Sequence, residues 1–230
     1  MANLAIIPAR GGSKRISKKN IKDFFGKPIL AYSIEAALNS GLFDEVMVST
    51  DSEEISSIAK SYGATVPFFR STKNADDFAT TSEVINEVIE VYQNNEKYFK
   101  YSCCIYPTAP FITSDILIDA YKTLSKNDFD SVFPVLEYSF PIQRAMKMDS
   151  QGKIKMITPE HLNTRSQDLN KSFHDAGQFY WFNVERFKDN KKIFTANSGG
   201  IILPETKVQD IDNEMDWKLA ELKYQFINEN

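Results

Sequence analysis

The sequence predicts a three-layer α/β fold built on a mostly parallel sheet. Three observations carry that prediction. Short β-rich runs alternate with helical patterns through residue 136, capping signals mark the helix starts, and the helices are long enough to serve as right-handed crossovers.

Leu4 to Ile7 reads as a buried strand that feeds a basic loop. Pro28, at a first helical position, opens a helix using Leu30, Ile34, Ala37 and Leu38 and closed by Gly41. Glu45 to Ser49 is the next strand. Thr50 and Glu53 form a capping box for a helix through Ser61, and Asp51 is expected to cap there too. Thr80 and Glu83 form a second box, heading a helix with Val84, Ile85, Val88, Ile89 and Tyr92 on one side. Tyr101 to Tyr106 is a strand, Thr113 caps a helix through Leu124, and Ser131 to Leu136 is a strand.

The rhythm then changes. Residues 137–170 are polar, contain Pro141 and Pro159, and show hairpin-like alternation around Gln151-Gly152-Lys153. We read them as an arm inserted into a single domain spanning 1–230. Gln178 to Val184 and Gly200 to Leu203 resume strand character. Met215, Leu219, Leu222 and Phe226 share one face of a final helix, which is expected to pack that face on the body.

Charge is unevenly placed. The chain of 230 residues has a formal charge of −4, yet the window from Arg10 to Lys27 holds seven cations and one anion. An acidic protein is not a general nucleic-acid binder, so the basic window points to a small, highly charged anion. No apolar run approaches the roughly 18 residues of a membrane span, and no signal-peptide pattern opens the chain. Cys103 and Cys104 are adjacent in an apolar run, which favours two reduced core thiols and a cytoplasmic protein.

Pro8-Ala9-Arg10-Gly11-Gly12-Ser13-Lys14-Arg15 follows the first strand, at the edge where parallel sheets gather ligands. Its glycines free backbone N–H groups for phosphate and its cations neutralise charge; the alternative is a solvated basic turn. Neither G-x-G-x-x-G nor G-x-x-x-x-G-K-[ST] occurs, so a dinucleotide site and a P-loop are both excluded.

That loop, continued by Lys18-Lys19-Asn20-Ile21 and Gly26-Lys27-Pro28, resembles the opening signature of the sialic-acid-type cytidylyltransferases. Ser49-Thr50-Asp51-Ser52-Glu53-Glu54-Ile55, Pro107-Thr108-Ala109-Pro110 and Gln209-Asp210-Ile211-Asp212 extend the likeness in order. Arg165-Ser166-Gln167-Asp168-Leu169 and Phe173-His174-Asp175-Ala176-Gly177-Gln178-Phe179-Tyr180-Trp181 are similar to its pseudaminic-acid branch. The chain departs from the neuraminic-acid pattern at Ser17, where proline is usual, and at Tyr106, where glutamine is expected.

The resemblance implies a Rossmann-like nucleotidyltransferase fold with a small dimerisation arm, and hence a homodimer. It also implies transfer of CMP from CTP to pseudaminic acid with release of pyrophosphate. The alternatives are another nonulosonic acid, neuraminic or legionaminic, or a non-catalytic nucleotide-binding regulator. The nucleotide contacts implied are Ala9, Arg10, Gly11, Gly12, Ser13, Lys14, Lys19 and Asn20, with Arg10, Lys19 and Asp212 catalytic. Attack of a sugar hydroxyl on phosphorus asks for positioning and charge neutralisation, not a protein nucleophile. Mg²⁺ favours carboxylate oxygens. Asp210 and Asp212, two apart, point the same way in extended backbone and resemble the family's metal pair. The competing reading is a turn in which Asp212 or Asn213 caps the last helix, with Asp216 complementing its dipole. For a nine-carbon acidic sugar, Arg165 suits the carboxylate, while His174, Asp175, Gln178 and Tyr180 are candidates for its hydroxyls. Arg165 sits in the arm and is a candidate for a neighbouring chain's site.

Overall fold

A computed structural model describes residues 2–229 of the chain. In order, the elements are β1 (Asn3–Pro8), β2 (Asp23–Phe24), β3 (Lys27–Pro28), α1 (Ile29–Ser40), β4 (Glu45–Ser49) and α2 (Glu53–Ser61). There follow α3 (Thr81–Asn94), β5 (Tyr101–Ile105), α4 (Ser114–Asn127), β6 (Ser131–Glu137), β7 (Met146–Met148) and β8 (Ile154–Met156). The last are β9 (Phe173–Asp175), β10 (Phe179–Asn183), α5 (Val184–Asn190), β11 (Ser198–Ile202) and α6 (Glu214–Asn228).

The main sheet runs β11-β6-β10-β5-β1-β4, with β9 also pairing β6. β1 lies parallel to β4 and β5, and β11 is parallel to β6. Alternate side chains of β1 serve two cores, because both faces of the sheet are covered. Ala5 and Ile7 join α1, α2 and α4 on one side, whereas Leu4 and Ile6 join α3 and α5 on the other. Cys103 and Cys104 divide the same way, both buried and free, and burial pushes the Cys104 thiol up to about 12. The three-layer expectation holds. No helix among the described residues is long and apolar enough to cross a membrane.

The strand expected over Gln178 to Val184 forms as β10, but periodicity did not foretell its direction: it lies antiparallel to both β5 and β6. After residues 138–172 the chain re-enters without a crossover helix. A direct return therefore pairs antiparallel, first as β9 and then as β10. Between them Gly177 takes φ +62°, a left-handed conformation that glycine adopts without strain. The excursion contains the expected hairpin, β7 against β8, turned at Gly152. It leaves Phe140, Met146, Met148, Ile154 and Leu162 exposed.

The Thr80–Glu83 capping box forms, Thr113 caps α4, and Gly41 closes α1 in the left-handed region. Three local expectations are corrected. Pro28 pairs with Asp23 and precedes α1, which starts at Ile29. Ser52, not Thr50 or Asp51, caps α2. Thr50 is fully buried, and its hydroxyl instead accepts from the Ser52 N–H. In α6 the stripe of Met215, Leu219, Leu222 and Phe226 faces outward, and Trp217 and Ala220 are buried instead. Aromatic packing decides that rotation, because the ring of Phe24 meets Trp217, Tyr224 and Tyr32 edge-on at 5.3–5.6 Å.

Glu45 ties the edge strand β4 to the segment after α3. Its carboxylate accepts from Tyr92 Oη (2.7 Å) and Thr65 Oγ1 (2.7 Å) and pairs with Lys97. Burial alone would raise its carboxyl, but those donors outweigh burial and hold it below the usual range. A lowered carboxyl stabilises the fold above its unfolded-state pKa and loses that contribution as pH falls through the folded value. Glu45→Gln is expected to cost about 1–2 kcal/mol in urea denaturation near neutrality. The difference from wild type should vanish below the carboxylate range. A difference independent of pH would contradict this assignment.

Candidate active site

A cleft of about 380 Å³ opens at the carboxyl ends of β1 and β5. Its first wall follows β1. The Ala9 N–H donates to Ser49 O (2.9 Å), a contact that keeps Ala9 fully buried and its amide engaged. The Gly11 N–H is also engaged, donating to Asp51 Oδ1 at 2.8 Å. A Cβ at Gly11 would lie 3.2 Å from Ser52 Cβ, so the loop hugs the start of α2. Gly12 has open space around it. Asn20 is buried, and its Nδ2 donates to Arg10 O (2.9 Å), which fixes the bend of the loop.

The cations of the loop separate into two groups. Arg10 Nη1 donates to Asp76 O (2.8 Å) and pairs with Asp77 Oδ1 (2.7 Å), while Lys14 pairs with the other Asp77 oxygen. Lys14 and then Arg10 hold the Asp77 carboxyl below the usual range. Across the cleft, Arg15 Nη2 lies 2.9 Å from Asp212 Oδ1. Lys19 Nζ donates to Ile211 O (2.6 Å) and stands 3.8 Å from the same Asp212 oxygen. Burial pulls the Lys19 ammonium down, and burial followed by the Asp212 charge pushes the Asp210 carboxyl up.

Asp210 and Asp212 both reach the cleft. Asn213 caps α6, and Asp216 completes a reciprocal capping box by accepting from the Asn213 N–H; it also accepts from the Asp212 N–H (2.9 Å). The cap and the carboxylate pair therefore coexist, since different residues serve each. Gly177 abuts this pair: a Cβ there would lie 3.9 Å from Asp210 Cγ.

Of the residues singled out in the sequence, the cleft gathers Arg10, Ser13, Lys14, Lys19, Asn20, Asp210 and Asp212. Arg165, His174, Asp175, Gln178 and Tyr180 do not line it. Tyr180 is buried and donates to Asp175 Oδ2 (2.5 Å). His174 packs on Tyr138, with ring centroids 4.9 Å apart. Gln178 is buried, its Nε2 donating to Lys207 O (2.8 Å) and its Oε1 without a partner. Arg165 lies out on the excursion, paired with Asp168 at 2.7 Å.

The cleft also contains residues that sequence reasoning missed: Arg70, Asn74, Asp76, Asp77 and Thr81. Arg70 is buried and held by Ser49 through Nε (3.0 Å) and Nη2 (2.6 Å). Arg70, Asn74, Asp76 and Asp77 belong to a connection without periodicity, and Thr81 opens α3. The one signal for Asp76 and Asp77 was electrostatic, because so basic a window needs carboxylates from somewhere.

A family model described as cytidylyltransferase matches residues 4–199. The chain belongs to the cytidylyltransferase family. Among curated relatives, the pseudaminic acid cytidylyltransferase of Campylobacter jejuni is 44% identical over 230 residues, covering 100% of this chain and 99% of the relative. The CMP-N,N'-diacetyllegionaminic acid synthase of Legionella pneumophila is 34% identical, covering 96% and 95%. The N-acylneuraminate cytidylyltransferase of Escherichia coli O18:K1:H7 is 33% identical, covering 94% of this chain and 51% of its own length. A solved CMP:2-keto-3-deoxy-manno-octonic acid synthetase complexed with CTP shares the fold, with a TM-score of 0.68 at 14% identity and full coverage of both chains.

In this cytidylyltransferase, Asp77 holds two loop cations that an incoming polyphosphate would also seek. A carboxylate and a phosphate compete for the same donors. Asp77→Asn is therefore expected to tighten metal-free CTP binding by roughly 3- to 10-fold in isothermal titration. Weaker binding would mean that Asp77 orders the loop rather than competing with the ligand.

Proposed function

We propose that the chain transfers CMP from CTP to pseudaminic acid, giving CMP-pseudaminic acid and pyrophosphate. The observation that carries this is one cleft with cations on one wall and a carboxylate pair on the other. Likeness to the Campylobacter jejuni enzyme along the whole chain supports the choice of sugar.

Arg10 and Lys14 release Asp77 to grip the outer phosphates, and Lys19 faces the phosphate that is attacked. Gly12, Ser13 and Asn20 shape the loop around them, while Ala9 and Gly11 act through their backbone anchors. Arg70 and Thr81 line the part of the cleft left for the nucleoside.

Mg²⁺ fits the carboxylate pair. Asp210 is desolvated beside a second carboxylate, a donor set that gains from added positive charge. Among the described residues no group of three or more His, Cys, Asp or Glu forms a metal cage. Mg²⁺ needs none, because it keeps water and takes phosphate oxygens. Bound there, the ion would neutralise charge developing on the phosphates. No side chain need act as nucleophile, since bringing the sugar hydroxyl in line with the phosphorus is most of the task.

The sugar acid enters from the side of β9 and β10, with His174, Asp175 and Tyr180 as its hydroxyl contacts and Gln178 bracing the strand behind them. Arg165, out on the excursion at residues 137–170, serves the sugar carboxylate of a neighbouring subunit, and the working form is a homodimer joined through that arm. A single nucleotidyltransferase domain with this inserted arm is the matching organisation. Reduced, buried thiols suit a cytoplasmic setting.

The test is pyrophosphate release with CTP, Mg²⁺ and a panel of pseudaminic, legionaminic and neuraminic acids. Pseudaminic acid is expected to give the highest kcat/KM. Preference for another acid would overturn the sugar assignment, and CTP binding without turnover would leave a nucleotide-binding regulator. Asp212→Asn is expected to retain thermal protection by CTP while losing on the order of 100-fold or more in kcat. Wild-type turnover at limiting Mg²⁺ would reject the metal assignment.

A further inference from the structure

Asp210 and Asp212 sit in a piece of chain without a strand partner. Between the 3-10 turn at Glu205–Lys207 and α6, residues 208–212 belong to no helix or strand. Carbonyls that no ladder serves must find other donors. Side chains supply them here. Gln178 Nε2 donates to Lys207 O (2.8 Å), Lys223 Nζ to Val208 O (2.7 Å) and Lys19 Nζ to Ile211 O (2.6 Å). On the amide side, the Asp212 N–H donates to Asp216 Oδ2 (2.9 Å). The carboxylate pair is thus held by donors and acceptors from the start of β10, from α6 and from the basic loop, in place of a backbone ladder.

These holds are not equivalent. Lys19 lines the cleft and stands 3.8 Å from Asp212, so a nucleotide there competes for it. Arg15, paired with Asp212, is open to the same exchange. Gln178 and Lys223 do not line the cleft, and no ligand in it competes for them. Lys223 comes from α6, where Trp217 and Ala220 bury beside Phe24. The aromatic packing that sets the rotation of that helix therefore also sets the reach of Lys223. Burial pulls the Lys223 ammonium down, the cost of keeping a charge against a neutral carbonyl instead of in water.

We infer that Lys223 is a positioning residue, holding Val208 O so that Asp210 and Asp212 keep their placement for a divalent cation while nucleotide draws Lys19 and Arg15 away. This rests on the reading above that Mg²⁺ takes the carboxylate pair. The contact lies two residues before Asp210, on the side of the segment that the ligand does not reach. Loop cations are then free to exchange partners without releasing the metal-binding segment.

Lys223→Met keeps the stem and removes the donor. In the intact protein with saturating CTP and no sugar acid, Mn²⁺ binding followed by electron paramagnetic resonance is expected to weaken roughly 10-fold, the low end of what losing an outer hydrogen-bond partner costs a metal site. By charge alone the change would act the other way, since removing a cation near two carboxylates favours a divalent ion. Metal-free CTP binding should stay within about twofold, because Lys223 shares no hydrogen-bond partner with the loop cations. Lys218→Met, the same change at an exposed position of α6, should leave Mn²⁺ affinity unchanged. Amide exchange at Asp212 should quicken in Lys223→Met alone. Unchanged or tighter Mn²⁺ binding in Lys223→Met, an equal loss in Lys218→Met, or a parallel loss of metal-free CTP affinity would each overturn the proposal. If wild-type protein with CTP takes up no Mn²⁺, the metal assignment fails, and exchange at Asp212 still judges the clamp by itself: unchanged exchange would reject it.

Discussion

Seven cations within eighteen residues repel one another, and the architecture around the cleft depends on how that repulsion is met. Each of the seven finds a carboxylate, and only Asp212 and Asp77 serve two. Arg10 and Lys14 share Asp77, Arg15 and Lys19 share Asp212, and Lys18, Lys22 and Lys27 take Glu54, Glu214 and Glu35. Exposed pairs of this kind contribute little each to stability. Their effect is on placement: they draw α2, the connection before α3 and the start of α6 around one loop. A surface so arranged is also poised for exchange, because an incoming polyphosphate offers the same cations a stronger partner.

The second organising feature is the antiparallel return of β10. A parallel strand at that position would have brought the chain in from the opposite edge of the sheet. The direct return instead brings Gly177 next to the Asp210 carboxylate. Gly177 makes the turn possible, since its φ of +62° is a conformation that residues with a side chain rarely adopt.

Much of this was legible locally. Period-two and period-3.6 patterns located the strands and helices through β6, and the Thr80–Glu83 signature named its helix start correctly. Failures came where two local solutions were chemically equivalent. Thr50, Asp51 and Ser52 are all good caps, and burial of Thr50 together with the Asp51 bond to Gly11 left the position to Ser52. In α6, either of two faces offered apolar residues, and the aromatic rings of Phe24 and Tyr32 selected the one bearing Trp217. The site was half legible for a related reason. Arg10, Lys19 and the Asp210/Asp212 pair lie in short motifs, whereas Arg70, Asp77 and Thr81 acquire meaning only through what they face.

By itself the sequence determined the layer architecture, the position of the basic loop and the family, because these follow from periodicity and contiguous motifs. Tertiary structure alone decided which carboxylates balance the loop, which face of α6 is buried and which residue caps α2. Those are settled by contacts between residues far apart in the chain, and no local rule sets their pairing. Charge balance required partners for the cations, and only the fold could say which ones.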